Sequence, residues 1–124
     1  NHDTEYTREH EHEANYDATR HFPGRWVDTA YAYTLTHPGV PCIFWQHFFD
    51  WGGETRLLLE NLMNLRRAAG VHSGSRLTIH RAEAGLYAAE IEGRVAVRLG
   101  ERMWSPGYGW HEEVSGERFT VWSR

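Results

Sequence analysis

The sequence has no lysine: all thirteen basic residues are arginine, set against seventeen acidic ones for a formal net charge of −4. Without a basic excess it offers a phosphate backbone no electrostatic footprint, so generic nucleic-acid binding is disfavoured. The missing lysine itself reads as coding bias rather than mechanism. There is a single cysteine, Cys42, which excludes an internal disulfide framework. No apolar run approaches the ~20 residues of a membrane-spanning helix, so no membrane partner is expected. The first residue is Asn rather than Met, and nothing near it has the pattern of an export signal. The N-terminus therefore reads as a cut end and gives no compartment.

What is present can build a core. Of 124 residues, 40% are apolar and 24% charged, a balance that argues against wholesale disorder. Aromatics are abundant, with six Trp, six Tyr and five Phe. Residues 5–21 carry no sustained apolar period and read as a loop or short solvated helix. Phe22-Pro23-Gly24 punctuates the chain. Trp26, Val27, Ala30 and Tyr31 then share one helical face over Arg25–Thr36, and the helix must stop near His37 because Pro38 disfavours helical geometry in the residue before it. Val40–Trp45 is short, apolar on both parities and bounded by turn signals, which predicts a strand buried on both faces, with Cys42 as a buried small hydrophobe. Thr55–Ala69 is the clearest helix: Leu58, Leu62, Leu65 and Ala69 form a stripe widened by Leu59 and Met63, and Gly70 is its natural stop. Arg66-Arg67, in its last turn, most simply complements its dipole.

After Gly70 the period changes from 3.6 to 2. Arg76–Arg81 alternates with Leu77 and Ile79 on one face. Leu86–Ile91 and Val95–Leu99 flank a Glu92-Gly93 turn, a hairpin signal, and Phe119–Trp122 closes the chain as a strand. The fold class is therefore α/β followed by a small antiparallel sheet, with the boundary between Gly70 and Gly74. A strand buried on both faces needs parallel neighbours on each side, and only one such strand is present. The first part would suit the last helix–strand–helix portion of a (β/α)8 barrel, a fold of ~250 residues.

Four segments carry a resemblance: Asn1-His2-Asp3-Thr4, the string from Ala30 to Trp45, His47-Phe48-Phe49-Asp50-Trp51-Gly52, and the run from Leu65 to Gly100, with a closing Val121-Trp122. In these the sequence resembles the plant-type α-amylases, members of the α-amylase family of retaining glycoside hydrolases. The resemblance implies that residues 1–72 are the C-terminal part of the catalytic barrel (end of strand 7, helix 7, strand 8, helix 8) and that 73–124 are the C-terminal β-sheet domain. It implies endo-hydrolysis of α-1,4-glucosidic bonds in starch and related glucans, by a protein that is a monomer when complete. Asp3 would be the carboxylate that bonds sugar hydroxyls in the oxocarbenium-like transition state, and His2 would contact the sugar at the same subsite. A retaining hydrolase also needs a nucleophilic carboxylate and a separate acid/base ~5–5.5 Å apart. No Asp or Glu here matches either motif, so the 124 residues alone are expected to be inactive. The family's calcium is implied as a cofactor, with its ligands outside this chain.

Several features depart from the family pattern. The Glu9–Glu13 stretch is longer than in plant members; His10 and His12 could be drawn as a metal site, but a solvated acidic loop is the favoured reading, and no metal ligands are assigned. Gln46 stands where Asp is usual, Trp45 where Tyr is common, and Met103 where some members carry a sugar-binding aromatic. Trp45, Phe48, Phe49 and Trp51 could stack on sugars, although a packed barrel rim is favoured for them. Trp104 and Trp110 could mark a secondary sugar surface or ordinary packing. The rival to the hydrolase reading is a non-catalytic starch- or carbohydrate-binding module.

Overall fold

A computed structural model describes residues 22–124. A 3₁₀ turn at Gly24–Trp26 leads into helix α1 (Val27–Thr36), followed by a short α2 (Trp45–Phe49) and the long α3 (Gly53–Ala68). Five strands follow: β1 (Leu77–Glu83), β2 (Leu86–Ile91), β3 (Val95–Leu99), β4 (His111–Gly116) and β5 (Phe119–Ser123). They form one antiparallel sheet in the order β1-β2-β3-β5-β4.

The helices form where their apolar spacing demands it. In α1, Val27, Tyr31, Ala32 and Leu35 are buried, whereas Trp26 and Ala30 of the expected face are only half-buried; in α3, Leu58, Leu59 and Leu62 are buried, with Met63 and Leu65 packed beside them. Pro38 ends α1 as expected: His37 turns extended (φ −84°, ψ 161°). The end of α3 is a Schellman motif. Gly70 sits at φ +68°, its N–H bonds the Arg67 carbonyl (3.1 Å), and the N–H of buried Val71 bonds that of Arg66 (3.0 Å).

The β2–β3 connection follows the turn chemistry of its sequence. Glu92 and Gly93 take φ of 53° and 62°, and the Arg94 N–H bonds the Ile91 carbonyl at 3.0 Å, as a type I′ turn requires. One sheet face (Ala89, Ile91, Val95, Val97, Phe119, Val121) packs against α1 and α3 in one apolar cluster. The core therefore runs continuously across the Gly70–Gly74 connection. The opposite face is also covered: Ala88, Ala96, Arg98, Thr120 and Trp122 are buried, and Trp104 lies edge-on to Trp122 (centroids 6.0 Å, 77°). Gly100, at φ +109°, passes so close to Gly85 that any Cβ there would overlap the Gly85 carbonyl.

The structure differs from the sequence reading at three places. Val40–Phe44 forms no strand: Phe44 is extended, but no neighbouring strand lies beside the segment among the described residues, and at Trp45 the chain turns into α2. Without a ladder partner an apolar segment cannot hold strand pairing. For the same reason Cys42 is exposed rather than buried. The third difference is β4, which periodicity did not reveal: its only apolar residue is Val114, and its pairing with β5 makes it a strand. Leu77 and Ile79 lie in β1, an edge strand exposed along its whole length. Both edge strands carry a register shift, between Ile79 and Arg81 and between Glu112 and Val114, the irregularity that blunts edge-to-edge pairing.

Candidate functional site

Asp3 and His2, the residues expected to meet substrate, lie outside the described residues, as do His10 and His12. The string that follows α1, His37 to Trp51, is described, and its placement is set by three polar anchors.

The first is the end of α1. Thr36 Oγ1 donates to the Ala32 carbonyl (2.6 Å), and the His37 N–H bonds the Tyr33 carbonyl (3.1 Å). The Arg66 guanidinium reaches across from α3 to the carbonyls of Leu35 (3.0 Å), His37 (2.7 Å) and Gly39 (2.7 Å). Arg66 thus caps a neighbouring helix and the turn after it, not its own helix end, so the expectation drawn from sequence distance alone is corrected. The second anchor is His37. Its Nδ1 faces the Tyr33 carbonyl (3.0 Å), which can only accept, so Nδ1 carries the proton and Nε2 accepts from the Tyr87 hydroxyl (2.8 Å). That bond ties α1 to β2, and the His37 ring also stacks on Tyr33 (centroids 3.9 Å, 23°).

The third anchor is His47, on the buried side of α2. The Tyr31 hydroxyl accepts the Phe44 N–H (3.1 Å) and shares a hydrogen bond with His47 Nδ1 (2.6 Å). Phe44 and Trp51 meet the imidazole edge to face, with centroids 5.4 and 4.6 Å away. Burial holds the pKa of both His37 and His47 below the ordinary histidine value. The unfolded chain takes up these protons near pH 6.5, and the folded protein only at lower pH. The unfolded state therefore binds more protons across that interval, and stability is complete above pH 6.5 and falls as pH drops. The expected slope is up to about 1.4 kcal/mol per pH unit for each histidine. Denaturant melts at successive pH values check it: a flat profile from neutrality into mild acid contradicts the assignment, and His37→Gln should remove part of the slope.

Above His47, α2 presents an open aromatic face. Trp45 is 70% exposed and lies on half-exposed Phe49 (centroids 4.2 Å, 34°); Phe49 meets Phe48 edge-on, and the Arg56 guanidinium lies 5.2 Å from the Phe48 ring centre. Val40 and Leu57 are exposed as well. Trp51 does not join that face; it packs on His47. An exposed surface of this kind marks a place where sugar, protein or another part of a longer chain is met.

In the sheet domain, Trp104 is committed to packing: it stacks on His80 (centroids 5.8 Å, 27°) and meets Trp122. His80 in turn pairs with Glu90 (3.0 Å). Trp110 lies beneath the Arg124 guanidinium (4.4 Å), while Met103 and Tyr108 project into solvent. Among the described residues no group of three or more His, Cys, Asp or Glu side chains converges to hold a metal ion, and no helix is long and apolar enough to cross a membrane.

Comparison with known proteins gives a consistent picture. The model for the α-amylase C-terminal β-sheet domain matches residues 68–123. The chain is 38% identical over 125 residues to a probable alpha-amylase 2 of Arabidopsis thaliana, covering 100% of this chain and 28% of that protein. It is 43% identical over 107 residues to an alpha-amylase type B isozyme of Hordeum vulgare, covering 83% of this chain and 68% of the relative. It is 37% identical over 84 residues to a glucan 1,4-alpha-maltotetraohydrolase of Stutzerimonas stutzeri, covering 65% of this chain and 15% of that protein. The chain thus spans between about a seventh and two thirds of the length of these relatives.

Proposed function

Since this chain belongs to the α-amylase family, we propose that it is the C-terminal part of a retaining endo-hydrolase of α-1,4-glucosidic bonds in starch and related glucans. Residues 1–72 would complete the catalytic barrel, and 73–124 form its C-terminal sheet domain. The observation that carries this reading is the alignment to the Arabidopsis thaliana relative, which runs over the whole chain and so includes Asn1-His2-Asp3-Thr4. The five-stranded sheet and the domain match over 68–123 support the placement of the C-terminal part. The open Trp45–Phe49 pair is what a barrel segment displays where earlier barrel elements would pack.

In this proposal the bond-breaking carboxylates, a nucleophile and an acid/base, are supplied by earlier parts of the complete protein. Asp3 contributes a fixed negative charge and strong hydrogen bonds to sugar hydroxyls as positive charge builds on the ring, and His2 holds the same sugar. Calcium remains part of the proposal as a structural ion bound by other parts of the protein, and no step passes through it. A non-catalytic binding module finds less support, because Trp104 is occupied by packing and Trp110 lies under Arg124.

The test is stereochemical. The complete protein, incubated with maltooligosaccharide and followed by proton NMR, should release its new reducing end first as the α-anomer, with the β-anomer appearing only through mutarotation. Initial release of the β-anomer, or no cleavage of interior bonds, overturns the proposal.

A further inference from the structure

The carboxyl group of Asp28 is at odds with its surroundings. Asp28 lies in the first turn of α1, where the helix dipole favours a negative charge. Yet its Oδ1 is buried and has no hydrogen-bond partner among the described residues. None of the ion pairs among those residues includes it. A buried acceptor without a donor carries the full penalty of desolvation, and the penalty is larger when the oxygen is charged.

The groups around it do not relieve that penalty. A cavity of about 330 Å³ lies beside Asp28, between α1, α3 and the β4–β5 turn. The other charged groups lining it are Arg25 from the 3₁₀ turn, Glu54 from the first turn of α3, and Glu117 and Arg118 from the β4–β5 turn. Arg118 is already engaged: its Nη1 pairs with Glu117 (2.9 Å), its Nε lies 3.6 Å from Glu101, and its guanidinium covers the Trp26 ring (4.9 Å). Arg25 is exposed and joins no ion pair among the described residues. Two helix starts therefore bring carboxylates to one cavity, with no cation committed to either. Burial first, and Glu54 second, hold the Asp28 carboxyl above its ordinary pKa.

The strain falls on a joint between helices. Val27, beside Asp28, and Leu58, one turn beyond Glu54, are buried in the core that unites α1 with α3. The start of α3 is tied to α2 through Gly52-Gly53. Gly52 sits at φ +102°, and neither glycine has another atom within 4 Å of where a Cβ would stand. That open two-glycine link lets the first turns of α3 yield separately from α2.

We propose that Asp28, opposed by Glu54, is a proton-operated brace between α1 and the start of α3. With Asp28 neutral the two helices close on each other; with it ionised the first turns of α3 open more readily. The unfolded chain releases the Asp28 proton near pH 3.8, and the folded protein only at higher pH. Between those points the folded state holds the extra proton. This contribution to stability is complete below pH 3.8 and is lost as pH rises through the folded value. It runs opposite to the contributions of His37 and His47, which are lost toward acid.

The experiment measures backbone hydrogen exchange by mass spectrometry in the complete protein and in its Asp28→Asn variant. The two are compared at the same pH, which cancels both the histidine contributions and the intrinsic pH dependence of exchange. Asparagine keeps the shape of the side chain and removes its charge. At about pH 8 the amides of residues 57–61 should exchange about fivefold more slowly in the variant. The difference should shrink toward none as the pH is lowered to about 4.5, where the parent carboxyl takes up its proton. Equal exchange at about pH 8 overturns the proposal, because the ionised carboxylate then strains nothing. A difference of the same size at every pH also overturns it, because shape and not charge is then being read. In a cycle with Glu54→Gln, the protection gained from Asp28→Asn at about pH 8 should fall by about half, since one charge no longer opposes the other. A gain that stays undiminished in that background removes Glu54 and overturns the brace as proposed.

Discussion

Replacing Asp3 by Asn in the complete protein is expected to lower kcat/KM on α-1,4-glucans by roughly a hundredfold or more, almost all of it in kcat. The substitution keeps the shape of the side chain and removes its charge. In the role proposed for it, Asp3 interacts most strongly when the sugar ring is flattened and positive, so the loss falls on the transition state and not on substrate binding. Charge-assisted hydrogen bonds to sugar hydroxyls at that stage contribute several kcal/mol, and about 3 kcal/mol corresponds to roughly a hundredfold in rate. Steady-state kinetics on soluble starch, with a thermal melt to show that the variant is folded, provide the check. Activity within about twofold of the parent would remove Asp3 from the machinery.

The largest effect on stability is expected at Arg66. Its guanidinium serves three carbonyls, those of Leu35, His37 and Gly39, and so closes the C-terminal end of α1 and fixes the turn leading to the aromatic segment. Burial lowers its pKa, but a guanidinium remains charged at any pH at which the protein folds. Hydrogen bonds from a charged donor contribute about 1.5–3 kcal/mol each, and the interaction with the α1 dipole adds several tenths. The bonds act as one unit and water can reach part of the site, so Arg66→Ala should cost about 3 kcal/mol, not their sum. For a domain of this size that is a fall of about 10 °C in melting temperature. Arg66→Lys should recover less than half, because one ammonium group cannot reproduce the planar fork. Denaturant unfolding monitored through tryptophan fluorescence reads both variants; a loss below about 1 kcal/mol for Arg66→Ala would mean that solvent replaces the cap at little cost.

Both predictions concern residues whose types were conspicuous in the sequence, but they were legible to different degrees. Asp3 stood in a recognisable tetrapeptide and carried an expected role, although its surroundings lie outside the described residues. Arg66 was visible only as a basic residue at a helix end, and the local reading assigned it to the wrong helix. Its partners lie 27 to 31 residues earlier, and nothing in the periodicity connects them. His37 and His47 were part of a noted string, yet their bonds to Tyr87 and Tyr31 depend on how α1 meets the sheet and α2. The strand β4 had no signal at all, because Val114 is its one apolar residue.

The sequence by itself determined the local elements whose stabilising forces act over a few residues. These were the apolar stripes of α1 and α3, the stops at Pro38 and Gly70, the Glu92-Gly93 turn and the alternation of β2, β3 and β5. It also carried the family resemblance, because the motifs behind it are contiguous. Only the tertiary structure decided which strands became edges, that Val40–Phe44 is not a strand, and which helix Arg66 caps. The physical reason is common to these cases. Strand pairing, burial and the satisfaction of helix carbonyls require partners distant in the chain, and such partners leave no periodic mark on the residues that use them.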